Sequence, residues 1–410
     1  MFSRFWAGAA VGAAVTTIVV FAALRHLTAA ARPRRATSFS DLIGGTPLVR
    51  LAAVSAAAGC DIYAKLELLN PGGSCKDRVV RALVDAAEAR GELSRGARGQ
   101  LVVEGSSGST GISLALLAAS RGYACVVVMP NDVSPDKAER LRAAGARVEL
   151  VPPVAYTADD HYVKVARRIA ETESCARGGQ GVLFLDQFDA SGNAAEHESS
   201  TGPEIWAQAD ACVDAFVCAA GTGGTFAGVG AYLKQASRGA TRLVLADPPG
   251  SVLLRRVKAG VAWTPEQTER ALRRHRTDTI VEGVGLDRLT TTGARAAALA
   301  DDAVGVTDAE AVAMARFLLR AEGFFVGSSS ALNVVAAVKV ARALRAAGAP
   351  ASARVVTILC DAGERHLSRF WSKDAISSRG LKDAADLGEA RGARARDGGE
   401  ADCSILDFIK

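Results

Sequence analysis

The chain has 410 residues, 49% of them apolar and 23% charged, enough for two domains or for one catalytic unit with lobes around a large core. Its formal charge is +5, and Arg4, Arg25, Arg32, Arg34 and Arg35 account for all of it ahead of the first acidic residue, Asp41. The remainder is formally neutral, which argues against a polyanion-binding groove. The eight cysteines form no C-x-x-C pair and the five histidines show no metal-ligand spacing, so neither a disulfide framework nor a zinc site is expected, and a reducing compartment is.

In chain order, Phe5–Leu24 comes first: twenty residues without a charge, the length of one membrane-spanning helix. Thr16 and Thr17 are too few for the polar stripe of a core helix, and a signal peptide has a shorter apolar region. The arginines after this segment outnumber Arg4 before it, which keeps the following body on the cytosolic side. An Arg-rich end without acidic residues also resembles mitochondrial targeting. Residues 1–36 therefore read as a membrane anchor or targeting segment, with its helix at about 5–24, and residues 37–375 as the body. Residues 376–410 read as a flexible, solvated tail, because Ala, Gly and charges alternate there without sustained apolar periodicity. The closing "CSILDFIK" is not a prenylation box, since four residues follow Leu406.

Within the body, short Val/Ile/Leu runs alternate with helical stretches: "QLVVEG", "YACVVVMP", "ARVELV", "AFVCAAG", "TRLVLAD" and "RVVTILC". That alternation predicts an α/β fold with mostly parallel sheets covered on both faces. Ser134–Pro135 reads as a helix start, and Thr307 with Glu310 as a capping box on a helix ending near Gly323.

Ligands of open α/β sheets collect where strands end and helices begin. Three such junctions are rich in Gly, Ser and Thr: Glu104–Gly111, Gly221–Thr225 and Gly327–Ala331. "GTGGT" at 221–225 is the best single-phosphate cradle, with converging backbone N–H groups and a helix dipole behind them. A dinucleotide fingerprint is absent, because Phe226 follows where a further glycine would be needed. The fourth stretch, "NPGGSCKDR" (70–78), ends in Lys76, which is no Walker A lysine, since Cys75 precedes it and Asp77 follows. A lysine beside a separate monophosphate site suggests a Schiff base with a phosphorylated aldehyde, although a single lysine is most often a surface cation.

Taken together, "GGTPLVRL" (44–51), "KLELLNPGGSCKDR" (65–78), "EGSSGSTGISLA" (104–115), "TGPEIW" (201–206), "GTGGT" (221–225) and "GSSSALN" (327–333) resemble the cysteine synthase / cystathionine β-synthase family. "DPPGS" (247–251), "VEGVGLDRLT" (281–290) and "VTILCDAGERHLSRFW" (356–371) resemble its membrane-anchored branch. The resemblance covers about residues 38–372. It implies a fold-type II pyridoxal-phosphate enzyme, two-lobed and three-layered α/β/α, with a smaller mobile lobe at about 80–190 and a homodimeric assembly. Lys76 would then be the Schiff-base lysine, which also takes the substrate's α-proton and returns it. Gly221, Thr222, Gly223, Gly224 and Thr225 would hold the cofactor phosphate, and Ser329 would meet the pyridine nitrogen. A hydroxyl there moderates the electron sink and favours β-elimination and replacement. Ser106, Ser107, Gly108, Ser109 and Thr110 match the substrate-carboxylate loop, with Gln187 as a further contact. Ser109 departs from the family's asparagine, which contacts the ring oxygen of the cofactor, so a water-mediated contact is expected there.

The implied reaction joins O-acetylserine and sulfide to give cysteine and acetate, through an α-aminoacrylate. Use of the same site as a cysteine or serine β-lyase, or for forming cystathionine, stays open on the sequence. So does a tethered regulatory protein on a degenerate fold, which the intact Lys76 disfavours. Cys75 reads as a small loop residue, and His197 and Glu198 as a solvated helix start.

Overall fold

The computed structural model describes residues 36–263, 279–286, 288–396 and 406–409. The segment Phe5–Leu24 lies outside them. Among the described residues no helix is long and apolar enough to cross a membrane. The chain divides into two compact units, Met1–Asp41 and Leu42–Lys410. In the described part of the first unit, the Asp41 carboxylate accepts hydrogen bonds from the backbone N–H groups of Thr37 (2.9 Å) and Ser38 (3.0 Å). These bonds favour its charged form, and its pKa is lowered, chiefly by Thr37.

The second unit holds two sheets. Strands β1 (Leu48–Arg50), β2 (Asp61–Leu66), β3 (Leu101–Gly105), β4 (Ala124–Pro130), β5 (Arg147–Val151), β6 (Val182–Phe184), β7 (Ala215–Ala219), β8 (Arg242–Asp247), β9 (Asp302–Gly305) and β10 (Arg354–Leu359) follow in chain order. Six of them form a sheet of order β1-β2-β10-β7-β8-β9, and four form a sheet of order β5-β4-β3-β6. Only β1 runs antiparallel to its neighbour, with Val49 opposite Ala64. The other pairs are parallel, as the crossover helices require.

Side-chain alternation explains why the strands of the large sheet read as continuous apolar runs. Val217, Val244, Val355 and Leu359 enter one core, shared with the Ser328–Ala346 helix. Their neighbours Phe216, Cys218, Leu243, Leu245, Val356 and Ile358 enter a second core with Phe226, Val229 and Leu233 of the Gly224–Ala236 helix. Both faces are covered, so neither face selects polar residues. The small sheet repeats the pattern, with Leu101, Val103, Val126 and Val128 packed on Ala166 and Ala170 of the Tyr162–Ala176 helix. The capping box expected at Thr307 and Glu310 is formed, and Gly323 closes that region at φ +75°. The helix at Pro135 starts where expected, but Ser134 makes no capping bond.

The C-terminal segment differs from the solvated tail expected from its composition. Lys382–Arg396 is a helix. Its Gly388 lies against the backbone of Ala313, and Gly392 against Phe317 and Arg320. Leu406 and Ile409 join the large core. Close approach through two glycines one turn apart replaces the apolar stripe that sequence periodicity registers.

Candidate active site

Four loops, the one before Ser329 following a helical turn and an isolated bridge at Val326 where a strand end was expected, meet around one cavity of about 240 Å³, lined by Lys76, Ser106, Ser107, Gly108, Ser109, Thr110, Gln187, Gly221, Thr222, Gly223, Thr225 and Ser329. Gly224, the remaining expected site residue, is buried at the start of the Gly224–Ala236 helix.

Lys76 opens the Lys76–Ala89 helix. The loop before it is tied down by Asp77, whose carboxylate accepts from the Gly72 N–H and the Ser113 hydroxyl, both at 2.5 Å. Burial raises the Asp77 pKa, and those two bonds oppose the rise. Behind the loop, Arg78 is fully buried and bonds both oxygens of Glu67 (2.8 Å each) and both of Glu204 (2.7 and 2.8 Å). Lys65 adds a 2.7 Å pair with Glu204. Burial penalises the charged Arg78, but Glu204 and Glu67 outweigh that penalty and its pKa rises. Glu204 is lowered to about 2, against its own desolvation, by Arg78 and Lys65. Two of the motifs read from the sequence, 65–78 and 201–206, thus meet in one ion network that fixes where Lys76 stands.

The 221–225 loop joins β7 to the Gly224–Ala236 helix. Gly223 has φ +91°, and a Cβ there would lie 2.7 Å from the backbone of Gly293. A Cβ on Gly221 would strike the Gly283 carbonyl oxygen, and one on Gly224 the Asn193 side chain. Only glycines permit this approach, and the result is a nest of backbone amides at a helix N-terminus. Asn193 donates to the Gln187 carbonyl (2.8 Å) and to Thr222 Oγ1 (2.9 Å), linking the two loops. Thr225 Oγ1 lies 3.1 Å from His197 Nε2, whose Nδ1 meets Thr201 Oγ1 at 2.9 Å. His197 is fully buried, and burial, then Arg78 and Lys76, lower its pKa well below the ordinary value. The solvated helix start expected at His197 is therefore corrected. Glu198 fits that expectation, pairing on the surface with Arg295 at 2.7 Å.

Ser109 and Thr110 begin the Ser109–Arg121 helix after Gly108. Thr110 donates to Gln187 Oε1 (2.5 Å), and Gln187 donates to Glu104 Oε1 (2.8 Å). Glu104 is raised to about 8, foremost by burial. Ser106 Oγ accepts from the Gly108 and Gly111 N–H groups at 3.3 and 3.2 Å. Ser109 Oγ accepts from Arg365 Nη1 at 2.9 Å. Sequence reasoning gave Arg365 no role, and the same holds for a cluster next to it. His366 lies between Glu282 (2.7 Å) and Asp361 (3.0 Å), while Lys137 reaches Glu282 at 2.9 Å from the small-sheet side. Burial alone would depress His366, but Asp361 and Glu282 raise it to about 9. "VEGVG" and "DAGERH" were visible as motifs, but nothing in either names its partner.

The residues present suit a phosphorylated aldehyde. The nest leaves room for an anion where a Cβ would otherwise stand, a primary amine shares the cavity, and Ser329 stands at the start of the Ser328–Ala346 helix on the same cavity. The chain is 48% identical over 343 residues to "Cysteine synthase 2" of Neurospora crassa, covering 83% of this chain and 74% of that protein. It is 44% identical over 342 residues to "Cysteine synthase 2" of Schizosaccharomyces pombe, covering 83% and 85%. The crystal structure of an O-ureido-L-serine synthase superposes with a TM-score of 0.68 at 32% identity, over 84% of this chain and 99% of that one. A family profile described as pyridoxal-phosphate dependent enzyme matches residues 39–361, and the chain belongs to that family.

Proposed function

We propose that this protein is a cysteine synthase that replaces the acetoxy group of O-acetylserine with sulfide, giving cysteine and acetate. The observation that carries the reading is the meeting of Lys76, the 221–225 nest, the 106–110 loop and Ser329 on one cavity. Pyridoxal phosphate, when bound, supplies the electron sink for charge developing at the substrate α-carbon. Lys76 holds the cofactor through its Nζ, and the same amine takes the α-proton and returns it. Gly221, Thr222, Gly223, Gly224 and Thr225 bind the phosphate, and Ser329 meets the ring nitrogen. Ser106, Ser107, Gly108, Ser109 and Thr110 bind the substrate carboxylate together with Gln187, which Thr110 and Glu104 orient. Ser109 is itself oriented by Arg365, the group best placed to compensate for its short side chain. The neutral His197 fixes the Thr225 hydroxyl without adding charge to the phosphate site.

Residues 37–375 act as the catalytic body in this reading, with a smaller lobe at about 80–190 that closes on substrate. Residues 5–24 anchor the chain in a membrane, the mitochondrial outer membrane, with the body facing the cytosol. The apolar run and the arginines after it support this. The body works as a homodimer.

The test is the visible absorbance of the cofactor-loaded protein. O-acetylserine is expected to change the band and sulfide to restore it, with release of cysteine. Lys76→Ala is expected to lose the lysine-bound cofactor band and to turn over no substrate. A band indifferent to O-acetylserine but responsive to cysteine would replace this reading with a β-lyase.

A further inference from the structure

Two thiols meet beside Lys76. Cys75 is the residue before Lys76, and Cys360 follows the last residue of β10; both line the cavity. Ser74 and Asp361 pair as an isolated antiparallel bridge, and the Cys75 N–H donates to the Cys360 carbonyl at 3.1 Å. That bond holds the two residues side by side, with Cys75 in helical conformation at φ −58° and ψ −17° just before the Lys76–Ala89 helix. A disulfide spans about 4.4–6.8 Å between Cα atoms, a range compatible with two residues joined directly by a backbone hydrogen bond. Each thiol is the foremost influence on the other's ionisation.

We propose that Cys75 and Cys360 form a reversible disulfide that fastens the end of β10 to the residue before Lys76 and slows the chemistry of that lysine. The oxidant is a hydroperoxide. The Cys75 thiolate takes the outer oxygen, giving a sulfenic acid and releasing an alcohol, or water from hydrogen peroxide. The Cys360 thiol then displaces that oxygen as water. In sum, two thiols and one hydroperoxide give one disulfide, one alcohol and one water. The roles follow from the surroundings. The bond from Cys360 and the nearby charge of Lys76 lower the Cys75 pKa, whereas the same contact and burial raise that of Cys360. Cys75 also stands at the N-terminus of the Lys76–Ala89 helix, which favours a thiolate, so it is the attacking thiol and Cys360 the resolving one. Cys218 also lines the cavity, but burial raises its thiol far above the ordinary range and leaves it inert. Cys175 and Cys212 are exposed and have no such neighbour among the described cysteines.

The consequence lies in Lys76. Its helix starts directly after Cys75, and a covalent tie at that point restricts the swing its side chain needs between holding the cofactor and moving a proton.

The test treats the reduced, cofactor-loaded protein with one equivalent of hydrogen peroxide. Titratable thiols are expected to fall from eight to six per chain, with a Cys75–Cys360 cross-linked peptide in a non-reducing digest. The absorbance response to O-acetylserine is expected to slow by about tenfold, one step of the logarithmic rate scale, and to recover fully with dithiothreitol. Cys360→Ser is expected to yield no cross-link and to accumulate oxidised Cys75 instead. The inference is overturned if both thiols survive while Cys175 or Cys212 reacts, or if the cross-link forms and the response is unchanged. The thiol count and peptide map are read whether or not the protein turns over O-acetylserine, so failure of the cysteine synthase reading is separable from failure of the disulfide.

Discussion

Replacing Gly223 by alanine tests whether the 221–225 loop is a phosphate site held open by the want of side chains. Two costs combine there. The backbone sits at φ +91°, where a Cβ costs about 1–2 kcal/mol. The added methyl also meets Gly293 Cα and N at 2.7 Å, rigid backbone that must shift, an overpacking cost of about 1–3 kcal/mol. Together they amount to about 2–5 kcal/mol. Gly239 separates the two effects: it follows the far end of the same helix at φ +87°, and a Cβ added there would meet nothing within 4 Å. Gly239→Ala therefore carries strain alone, about 1–2 kcal/mol. The assay is a titration of each cofactor-free variant with pyridoxal phosphate, followed by absorbance, alongside urea denaturation. Gly223→Ala is expected to weaken cofactor binding by about 10- to 100-fold, the clash converted at 1.4 kcal/mol per decade. Gly239→Ala is expected to bind as the parent does. Equal loss in both variants, or parental binding by Gly223→Ala, would refute the assignment.

Glu204→Leu leaves Arg78 with Glu67 as its one carboxylate partner beside the Thr46 and Ser200 hydroxyls, and Lys65 with Gln208 and Thr46, and is expected to cost about 3 kcal/mol, read as a lower urea midpoint. His366 titrates near 9, above the ordinary 6.5, so the stability it contributes is complete below pH 6.5 and disappears as the pH rises through 9. A His366→Asn variant should then lose less thermal stability than the parent between those pH values, and parallel curves would contradict the pairing. Glu104 is raised to about 8 from 4.5, so its burial erodes stability as the pH climbs from 4.5 to 8. Glu104→Gln is expected to gain stability at pH 8 and nothing at pH 4, with substrate response kept, because its amide oxygen still accepts from Gln187. A variant no more stable at pH 8 than at pH 4, relative to the parent, would overturn that account.

The loops that line the cavity were legible because close backbone approach demands glycine or small residues, and that requirement leaves a mark within five residues. Strand faces were legible for a similar reason, since burial on both sides gives unbroken Val/Ile/Leu runs. The partnerships were not. Arg78 and Glu204 are 126 residues apart, as are Glu282 and His366 by 84, and no local periodicity pairs charges over such separations. His197 was misread because its chain neighbours Glu196, Glu198 and Ser199 are polar. A helix that turns one polar face inward toward Thr225 looks solvated from its composition. The C-terminal helix escaped notice because glycines made its contact.

The order of strands in the large sheet has a consequence for synthesis of the chain. Strands β3 to β6 are consecutive, so the small sheet has all its members once residue 184 has emerged. The large sheet does not. Between β2, which ends at Leu66, and its neighbour β10, which begins at Arg354, the ribosome must add 287 residues, about 15–60 seconds of translation at 5–20 residues per second. Through that interval one edge of β2 has no partner strand, and Lys76 waits for the sulfur-bearing strand end that completes its surroundings. A chain stopped before residue 354 would hold a finished small sheet and an open half-site, a natural substrate for chaperones that recognise unpaired strand edges.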